Sequence, residues 1–364
     1  MRSLIIAEAG VNHNGDERLA LKLVDVAVEA GADIVKFQTF KAENLVTENA
    51  ALADYQKDNG VTDLSQLAML KKLELNFDFY PKLVRYCQQS NITFLSTAFD
   101  FDSLDFLVNE LKLTTLKVPS GEITNAPFVL AHARTNCQLI VSTGMCSLAE
   151  VEQALGVIAF GLLNAQGECL DKKPSKEHFF SAFESQEGKA LLQNKVTILH
   201  CTTQYPAPPS SINLAAMSTM QQHFNLAVGY SDHSQGIIIP IAAVAKGAVI
   251  IEKHFTLDKN LPGPDHMASL APQELKAMVE AIRLTEQSIG NGSKEADVCE
   301  QKNKAVVRKS LIAATAINKG ELFSKENIVM KRPGTGMSPY HYWQVLQQKS
   351  SQSYLAGDLI NEPT

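Results

Sequence analysis

Short apolar runs that alternate with helical patterns constrain the fold more than any other feature of this sequence. Eight such runs, each followed by a segment with apolar residues at helical spacing, occupy residues 1–289. They predict strands at residues 4–7, 34–38, 93–97, 116–118, 138–142, 196–202, 226–230 and 249–254. This alternation favours parallel strands joined by helical crossovers. Eight units predict a closed (β/α)8 TIM barrel, since an open doubly wound sheet would be expected to carry a glycine-rich nucleotide turn or a P-loop, and the sequence has neither.

The chain is longer than one barrel needs. Its 364 residues exceed the size at which single cores usually stop growing, roughly 250–300 residues. We predict a barrel domain over residues 1–289, a polar linker over 290–305 and a small, mostly β module over 306–364. A module this small has a marginal core, so we expect it to pack on a partner surface. Two polar stretches interrupt the barrel: residues 39–63 are predicted to form a functional loop, and residues 164–194 a solvated insert.

Charge and cysteine content exclude several classes of function. The chain has 39 acidic and 33 basic residues, a formal charge of -6, which argues against general binding to nucleic acid or to an anionic membrane. The six cysteines form no C-x-x-C pair, which is typical of reduced thiols in the cytoplasm. The amino terminus is too briefly apolar for a signal peptide, and we find no apolar run of about 20 residues that would span a membrane. We therefore predict a cytoplasmic protein.

Polar residues gather where the predicted strands end. In a barrel of this kind the active site lies at the carboxyl ends of the strands. Alternation along the second strand points Lys36 into the barrel, where a lysine is costly unless it meets an anion. After the fourth strand, Lys117 and Ser120 can donate to an oxyanion, and Gly121 allows the backbone to approach it. Taken alone, this last motif could be only a turn; together with Lys36 and Ser142 it predicts an anion pocket.

Two histidines end the last two predicted strands. His233 shares a strand face with Ser231, and His254 shares one with Glu252, so each strand end aims two polar groups in the same direction. Two imidazoles beside carboxylates and hydroxyls could hold a divalent metal and leave positions open for substrate. The alternative is that each histidine is an ordinary hydrogen-bonded residue of the core or the surface.

Specific motifs at these strand ends resemble the sialic acid synthase family, in the same order along nearly the whole chain. They occupy residues 7–15, 35–39, 117–122, 142–145, 200–206, 229–233, 254–256 and 262–265. The tail segments 308–311, 319–321 and 331–336 resemble the antifreeze-like (SAF) domain of these synthases. The resemblance implies a transferase that joins phosphoenolpyruvate to an N-acylated mannosamine to make a nine-carbon nonulosonic acid.

The resemblance also implies a role for each matching residue. His233 and His254 would ligate Mn2+ or Mg2+, with Glu8 near its water shell and Glu122 close to the reacting carbons. The phosphate of phosphoenolpyruvate would be held by Thr97, Lys117, Ser120 and Ser142, its carboxylate by Lys36 and Ser231, and the sugar by Gln38, Tyr205 and Asp265. Arg332 would reach the sugar's N-acyl group from the other subunit of a domain-swapped homodimer. Thr203 stands where some members carry Asn, which affects one phosphate contact and the choice of sugar.

Several functions remain open on the sequence alone. N-acetylmannosamine, giving N-acetylneuraminate, is the first predicted substrate. A 2,4-diacetamido-2,4,6-trideoxymannose, giving N,N'-diacetyllegionaminate, is the alternative within the family. From other classes, a metal-dependent hydrolase would need more His and Asp ligands than this chain offers at its strand ends. A glycan-binding protein would have no use for a metal beside an anion pocket.

Overall fold

The computed structural model describes residues 2–52 and 65–361. Eight parallel strands form a closed barrel, with β1 paired to both β2 and β8. The strands are β1 Leu4–Gly10, β2 Ile34–Thr39, β3 Thr93–Ala98, β4 Thr115–Val118, β5 Gln138–Ser142, β6 Val196–Cys201, β7 Ala227–Asp232 and β8 Ile250–His254. The predicted TIM barrel is confirmed. Residues 53–63, part of the predicted functional loop, lie outside the described residues.

Helices surround the barrel, and local sequence explains several of their ends. Helix α1 begins after Asp16, whose carboxylate accepts hydrogen bonds from two backbone N–H groups of the first turn. Helix α7 begins with a capping box formed by Ser147 and Glu150. The helices of the barrel unit are α1 Glu17–Glu29, α2 Ala42–Leu45, α3 Gln66–Leu73, α4 Tyr80–Gln89, α5 Phe101–Asp105, α6 Ala126–Arg134, α7 Leu148–Ala165, α8 Lys176–Glu184, α9 Gln186–Lys195, α10 Pro209–Ile212, α11 Ala215–Phe224, α12 Ile238–Ala245 and α13 Pro272–Ser288.

The inside of the barrel is built in layers. An apolar layer is formed by Ile6, Ile34, Leu95, Ile140, Leu199 and Ile250, all buried. Successive residues of a strand point to opposite faces, so the next inward residue lies two positions further along. Those next residues are Glu8, Lys36, Thr97, Ser142, Cys201 and Glu252. The barrel therefore carries a polar layer directly above its apolar floor, at the carboxyl ends of the strands.

Two sequence predictions need correction. The stretch predicted as a solvated insert contains helices α8 and α9, and α8 packs closely on α7, where Gly156 faces Phe179. Residues 290–305 are not a simple linker, because Asp297 caps a helix at Val298–Val307 (α14). Among the described residues, α7 is apolar enough to cross a membrane by length and composition; however, 67% of it is buried inside the protein, as in a core helix.

The chain divides into two compact units, Met1–Gly290 and Asn291–Thr364. The second unit contains α14 and an antiparallel pair of strands, β9 Ser310–Ala313 and β10 Ile328–Lys331, followed by the short helix α15 Tyr342–Val345. Its core includes Leu311, Ile317, Phe323, Ile328 and Ile360. This small antiparallel module is consistent with the predicted antifreeze-like fold.

Candidate active site

A cavity of about 400 Å³ opens above the polar layer of the barrel. The structure brings together at this cavity every site residue that was predicted within the barrel. These are Glu8, Lys36, Gln38, Thr97, Lys117, Ser120, Glu122, Ser142, Thr203, Tyr205, Ser231, His233, His254 and Asp265. Arg332 belongs to the second unit and directly follows β10, so its contact with the sugar stays a prediction.

Two buried lysines and two buried glutamates form the floor of the cavity. Lys36 Nζ lies 3.0 Å from Glu8 Oε2 and 3.4 Å from Glu252 Oε2. Lys117 Nζ donates to Glu252 Oε1 at 2.9 Å, and Ser231 Oγ donates to the same oxygen at 3.1 Å. Strand register explains this arrangement, because Glu8 is opposite Lys36 between β1 and β2, and Ser231 is opposite Glu252 between β7 and β8.

The pKa values of these groups follow from burial and from their neighbours. Burial would raise the pKa of Glu252, but Lys117 and Lys36 outweigh it and hold that pKa well below its usual range. Burial raises the pKa of Glu8 to about 7 against the attraction of Lys36. Burial would lower the pKa of Lys36, but Glu252 and Glu8 together raise it. The floor thus holds a charged lysine beside a carboxyl that can change protonation near neutral pH.

Several polar atoms at the cavity have no hydrogen-bond partner among the described residues. They include Ser142 Oγ, Thr203 Oγ1 and His254 Nδ1, each buried at the atom level. Buried polar atoms are nearly always hydrogen-bonded in native proteins, because leaving one unpaired costs roughly 1–3 kcal/mol. A polar ligand that supplies the missing partners would therefore be bound favourably here.

The backbone of the loop after β5 packs closely on two residues that line the cavity, Ser120 and Thr203. Gly144 N donates to Ser120 Oγ at 3.0 Å. A Cβ at Gly144 would lie 2.3 Å from Thr203 Oγ1 and 2.8 Å from Ser120 Oγ, so only glycine fits. Gly121, to which the sequence assigned a close backbone approach to an oxyanion, lines the cavity, and a Cβ there would meet nothing within 4 Å. Its approach to an oxyanion stays a prediction.

The two histidines face each other with ring centroids 5.7 Å apart. His233 Nδ1 lies 2.8 Å from the Thr202 carbonyl oxygen; a carbonyl only accepts, so Nδ1 carries a proton, and in the neutral ring Nε2 keeps its lone pair. Burial would lower the pKa of His233, but Cys201 and the Thr202 carbonyl raise it. Burial, followed by the nearby His233, lowers the pKa of His254 well below its usual value, which keeps its imidazole neutral. Neutral imidazole nitrogens are metal ligands. No group of three or more His, Cys, Asp or Glu side chains among the described residues is arranged to hold a metal.

One side of the cavity is apolar. We define the apolar wall as Val11, Phe40, Leu45, Val46, Met69, Leu70, Leu73 and Phe99. It is built by helix α3 and by residues that follow β1, β2 and β3. Asp265 lies on the cavity too, and burial raises its pKa to about 6. The cavity therefore combines a charged floor, which suits an anion, with a wall that suits methyl groups.

Comparison with known proteins identifies the family. The model of the NeuB family matches residues 23–294. The chain belongs to the NeuB family. It is 47% identical over 361 residues to the N,N'-diacetyllegionaminic acid synthase of Campylobacter jejuni, with 99% of each chain covered. It is 43% identical to the protein of the same name in Legionella pneumophila, covering 99% of this chain and 94% of that one.

A solved structure of this family shows the same fold. The N-acetylneuraminic acid (sialic acid) synthetase of Leptospira borgpetersenii superposes with a TM-score of 0.67 at 31% identity, covering 83% of this chain and 90% of that one. The predicted sialic acid synthase family is confirmed. These NeuB relatives also support the coarser prediction that the chain is an enzyme of the synthase type.

Two residues of this NeuB barrel were not assigned a role from the sequence. Glu252 was recognised as sharing a face with His254, but not as the carboxylate that joins both lysines. The alternation of inward-facing residues along a strand would have found Glu252, because it lies two residues after Ile250 of the apolar layer. Cys201 lines the cavity with Sγ 3.7 Å from His233 Nδ1. It occupies the corresponding position after Leu199, and its small apolar character gave no signal by itself.

Proposed function

We propose that this protein condenses phosphoenolpyruvate with 2,4-diacetamido-2,4,6-trideoxymannose and water to give N,N'-diacetyllegionaminate and phosphate. The observation that carries the proposal is one cavity with two buried lysines at its floor and an apolar wall at its side. Two relatives that match nearly the whole chain, named N,N'-diacetyllegionaminic acid synthases, support this choice over N-acetylmannosamine.

Phosphoenolpyruvate carries an anionic group at each end, and the floor offers a cation for each. Lys117, with Ser120 and Ser142, would bind the phosphate by charge-assisted hydrogen bonds. Lys36 and Ser231 would bind the carboxylate. Ser142 Oγ has no hydrogen-bond partner in the described part of the chain, which fits a hydroxyl that binds a phosphate oxygen. Fixing both ends of the substrate orients its C3 carbon toward the rest of the cavity.

The residues present fit a divalent metal. Burial keeps His254 neutral, and its Nδ1 lacks a partner among the described residues, while the bond from His233 Nδ1 to Thr202 leaves Nε2 of the neutral His233 ring available to a metal. In our proposal these two imidazoles hold Mn2+ or Mg2+, and water and substrate oxygens complete the ligand set. When bound, the metal supplies Lewis-acid polarisation of the sugar's aldehyde oxygen.

The carbon–carbon bond forms between C3 of phosphoenolpyruvate and the aldehyde carbon of the open-chain sugar. The positive charge left at C2 is quenched by water, and the resulting tetrahedral carbon expels phosphate by cleavage of its C–O bond. Glu8 is a candidate acceptor for the proton of that water, since its pKa of about 7 allows proton transfer near neutral pH. Glu122, also at the cavity, is the second candidate.

The apolar wall favours a 6-deoxy sugar. A methyl group buried against such side chains gains hydrophobic stabilisation, whereas a hydroxymethyl group would leave its oxygen without a partner there. An apolar pocket discriminates against an added hydroxyl by about 100-fold at most. We therefore expect kcat/KM for the 6-deoxy diacetamido sugar to exceed that for N-acetylmannosamine by about 10- to 100-fold.

The test is side-by-side turnover with each sugar, phosphoenolpyruvate and Mn2+, following both phosphate release and the nine-carbon product. A higher kcat/KM for N-acetylmannosamine would overturn the choice of sugar and favour an N-acetylneuraminate synthase. Phosphate release without a sugar would instead indicate a hydrolase, and sugar binding without phosphate release a glycan-binding protein. Isotope-labelled water gives an independent check, because C–O cleavage places its label at C2 of the product and not in phosphate.

The proposal also covers the quaternary structure of the protein and its location in the cell. We place Arg332 of one subunit at the sugar site of the other, in a domain-swapped homodimer. Arg332→Ala would then raise KM for the sugar while leaving KM for phosphoenolpyruvate unchanged, and a protein that is monomeric at assay concentration would contradict this arrangement. All six cysteines are free thiols, which fits the reducing cytoplasm.

A further inference from the structure

A second charged pair lies behind the histidines, on the face of β7 and β8 that points away from the cavity. Asp232 and Lys253 are opposite each other in the register of the two strands, and each is only 1% exposed. Neither lines the cavity, whereas His233 and His254, which follow them directly, both do. The proposed reaction makes no use of this pair.

The Asp232 carboxylate is fully hydrogen-bonded. Its Oδ1 accepts from the Tyr230 hydroxyl at 3.0 Å and from the Ser234 backbone N–H at 2.9 Å. Its Oδ2 accepts from the Ser234 hydroxyl at 3.0 Å and from the Lys253 ammonium at 2.5 Å. Lys253 also donates to the Ser234 carbonyl at 2.6 Å. Lys253 is thus bonded to the residues on both sides of His233, and Asp232 Oδ1 holds the N–H of the peptide that joins His233 to Ser234.

The same bonds set the spacing of the two histidines. The ion pair crosses from β7 to β8 one residue before each histidine, so it ties together the backbones from which both rings project. The His233 ring has its own support from the Thr202 carbonyl. His254 Nδ1 has no hydrogen-bond partner within residues 2–52 and 65–361, so the position of that ring depends on its strand.

Stability alone does not account for such a pair. Two apolar side chains of similar volume commonly stabilise a core as well as a buried ion pair does, because both charges must first be removed from water. What the pair adds is fixed geometry. We propose that Asp232 and Lys253, with Tyr230 and Ser234, are positioning residues that hold His233 and His254 at the spacing required by a divalent cation. This inference rests on the metal site of the proposed function.

The test is direct titration of the metal-free, full-length protein with Mn2+ alone, by calorimetry or electron paramagnetic resonance. Lys253→Met is expected to weaken Mn2+ binding about 10- to 100-fold, the range typical of residues that orient metal ligands. Binding of inorganic phosphate, followed in parallel, is expected to stay within about twofold of the wild type, because Lys36 and Lys117 are untouched. Tyr230→Phe removes one of the four donors to Asp232 and keeps the ring. Tyr230→Phe should weaken Mn2+ binding less than Lys253→Met does, and it serves as the test if Lys253→Met does not fold.

The matched control is Arg283→Met. It breaks the ion pair between Arg283 and Asp33 at 2.6 Å, which closes the opposite end of the barrel. It should lower the thermal stability without changing the Kd for Mn2+. Unchanged Mn2+ binding in Lys253→Met and Tyr230→Phe would overturn the inference, as would an equal loss of Mn2+ and phosphate binding.

Failure of this inference is distinguishable from failure of the proposed function. If His233→Ala abolishes Mn2+ binding and Lys253→Met weakens it, the positioning role stands even when no nonulosonate product forms. If His233→Ala leaves Mn2+ binding unchanged, the positioning role is overturned whatever the product assay shows.

Discussion

Replacing Glu252 by glutamine tests the charge balance of the cavity floor. The change keeps the shape of the side chain but leaves Lys36 and Lys117 with Glu8 as the remaining carboxylate of the floor. The side chains of Glu252, Lys36 and Lys117 are 6%, 4% and 3% exposed, so the lost charge cannot be replaced by bulk water. Removing one partner of a buried ion pair costs roughly 3–5 kcal/mol of folding free energy. For a protein of this size we expect the Tm to fall by roughly 6–15 °C.

The same change should strengthen anion binding. Lys117 Nζ lies 2.9 Å from Glu252 Oε1, so a phosphate oxygen bound by Lys117 would lie within about 6 Å of this carboxylate and would be repelled by roughly 3 kcal/mol at an effective dielectric constant of 20. Removal of the carboxylate charge is therefore expected to tighten binding of inorganic phosphate by about tenfold or more. Glu252→Gln should be less stable than the wild type without ligand and should gain more from a given phosphate concentration. Its kcat should fall, because the two lysines lose their common acceptor.

The assay is thermal unfolding of the full-length protein over a series of phosphate concentrations. Glu286→Gln is the matched control, because Glu286 is also largely buried and paired with Arg283 at 3.1 Å, at the other end of the barrel. It should lose stability with no change in the phosphate-dependent rise of Tm. A Glu252→Gln protein that is as stable as the wild type, or that gains no more from phosphate than the control, would refute this account of the floor.

Three further predictions concern the apolar wall, Glu8 and the loop after β5. Met69→Gln places an amide on the apolar wall. It should reduce the preference for the 6-deoxy sugar over N-acetylmannosamine by about tenfold, measured as the ratio of the two kcat/KM values. An unchanged ratio would show that the apolar wall does not select the sugar. In the wild type, folded Glu8 keeps its proton up to about pH 7, while in the unfolded chain the same carboxyl ionises near pH 4.5. Its contribution to stability therefore falls as pH rises between these values, and Glu8→Gln should flatten this part of the profile of Tm against pH. Gly144→Ala should raise KM for phosphoenolpyruvate at least about tenfold, because its Cβ would collide with Thr203 and Ser120. Gly121→Ala, whose Cβ would meet no protein atom within 4 Å, should have the smaller effect on KM. Equal effects of the two variants would contradict this account of the packing at Gly144.

Sequence periodicity predicted the barrel well because each strand is a short, nearly continuous apolar run. Strand β5 is predicted at its observed bounds, 138–142, and the others differ by a few residues at their ends. The same reasoning failed for residues 164–194, where polar faces hid the amphipathic helices α8 and α9. Phe179 and its neighbours bury one face of α8 against α7, and this tertiary packing cannot be seen in local composition.

The candidate site, too, could be predicted only in part from the sequence. Lys36 was found because a lysine in an apolar strand needs a partner, yet its nearest partners in the structure are the carboxylates of Glu8 and Glu252. Sequence alone could not supply these pairings, because they depend on the register between strands that are distant in the chain. Glu8 and Lys36 are opposite in β1 and β2, while Glu252 reaches the lysines from β8 across the barrel axis. Closure of the barrel creates the network.

The balance of charge among these four groups affects how the floor binds an anion. The two lysines and two glutamates are formally neutral together, so the site can be buried without a bound anion. A protonated Glu8, favoured by its raised pKa, would leave the same four groups with a net positive charge. Uptake of a proton by Glu8 and binding of an anionic substrate should therefore favour each other, because each reduces the electrostatic cost of the other. A Glu8 that gains its proton as the substrate binds cannot accept another from the attacking water, so this coupling would leave Glu122, the second candidate at the cavity, as the base.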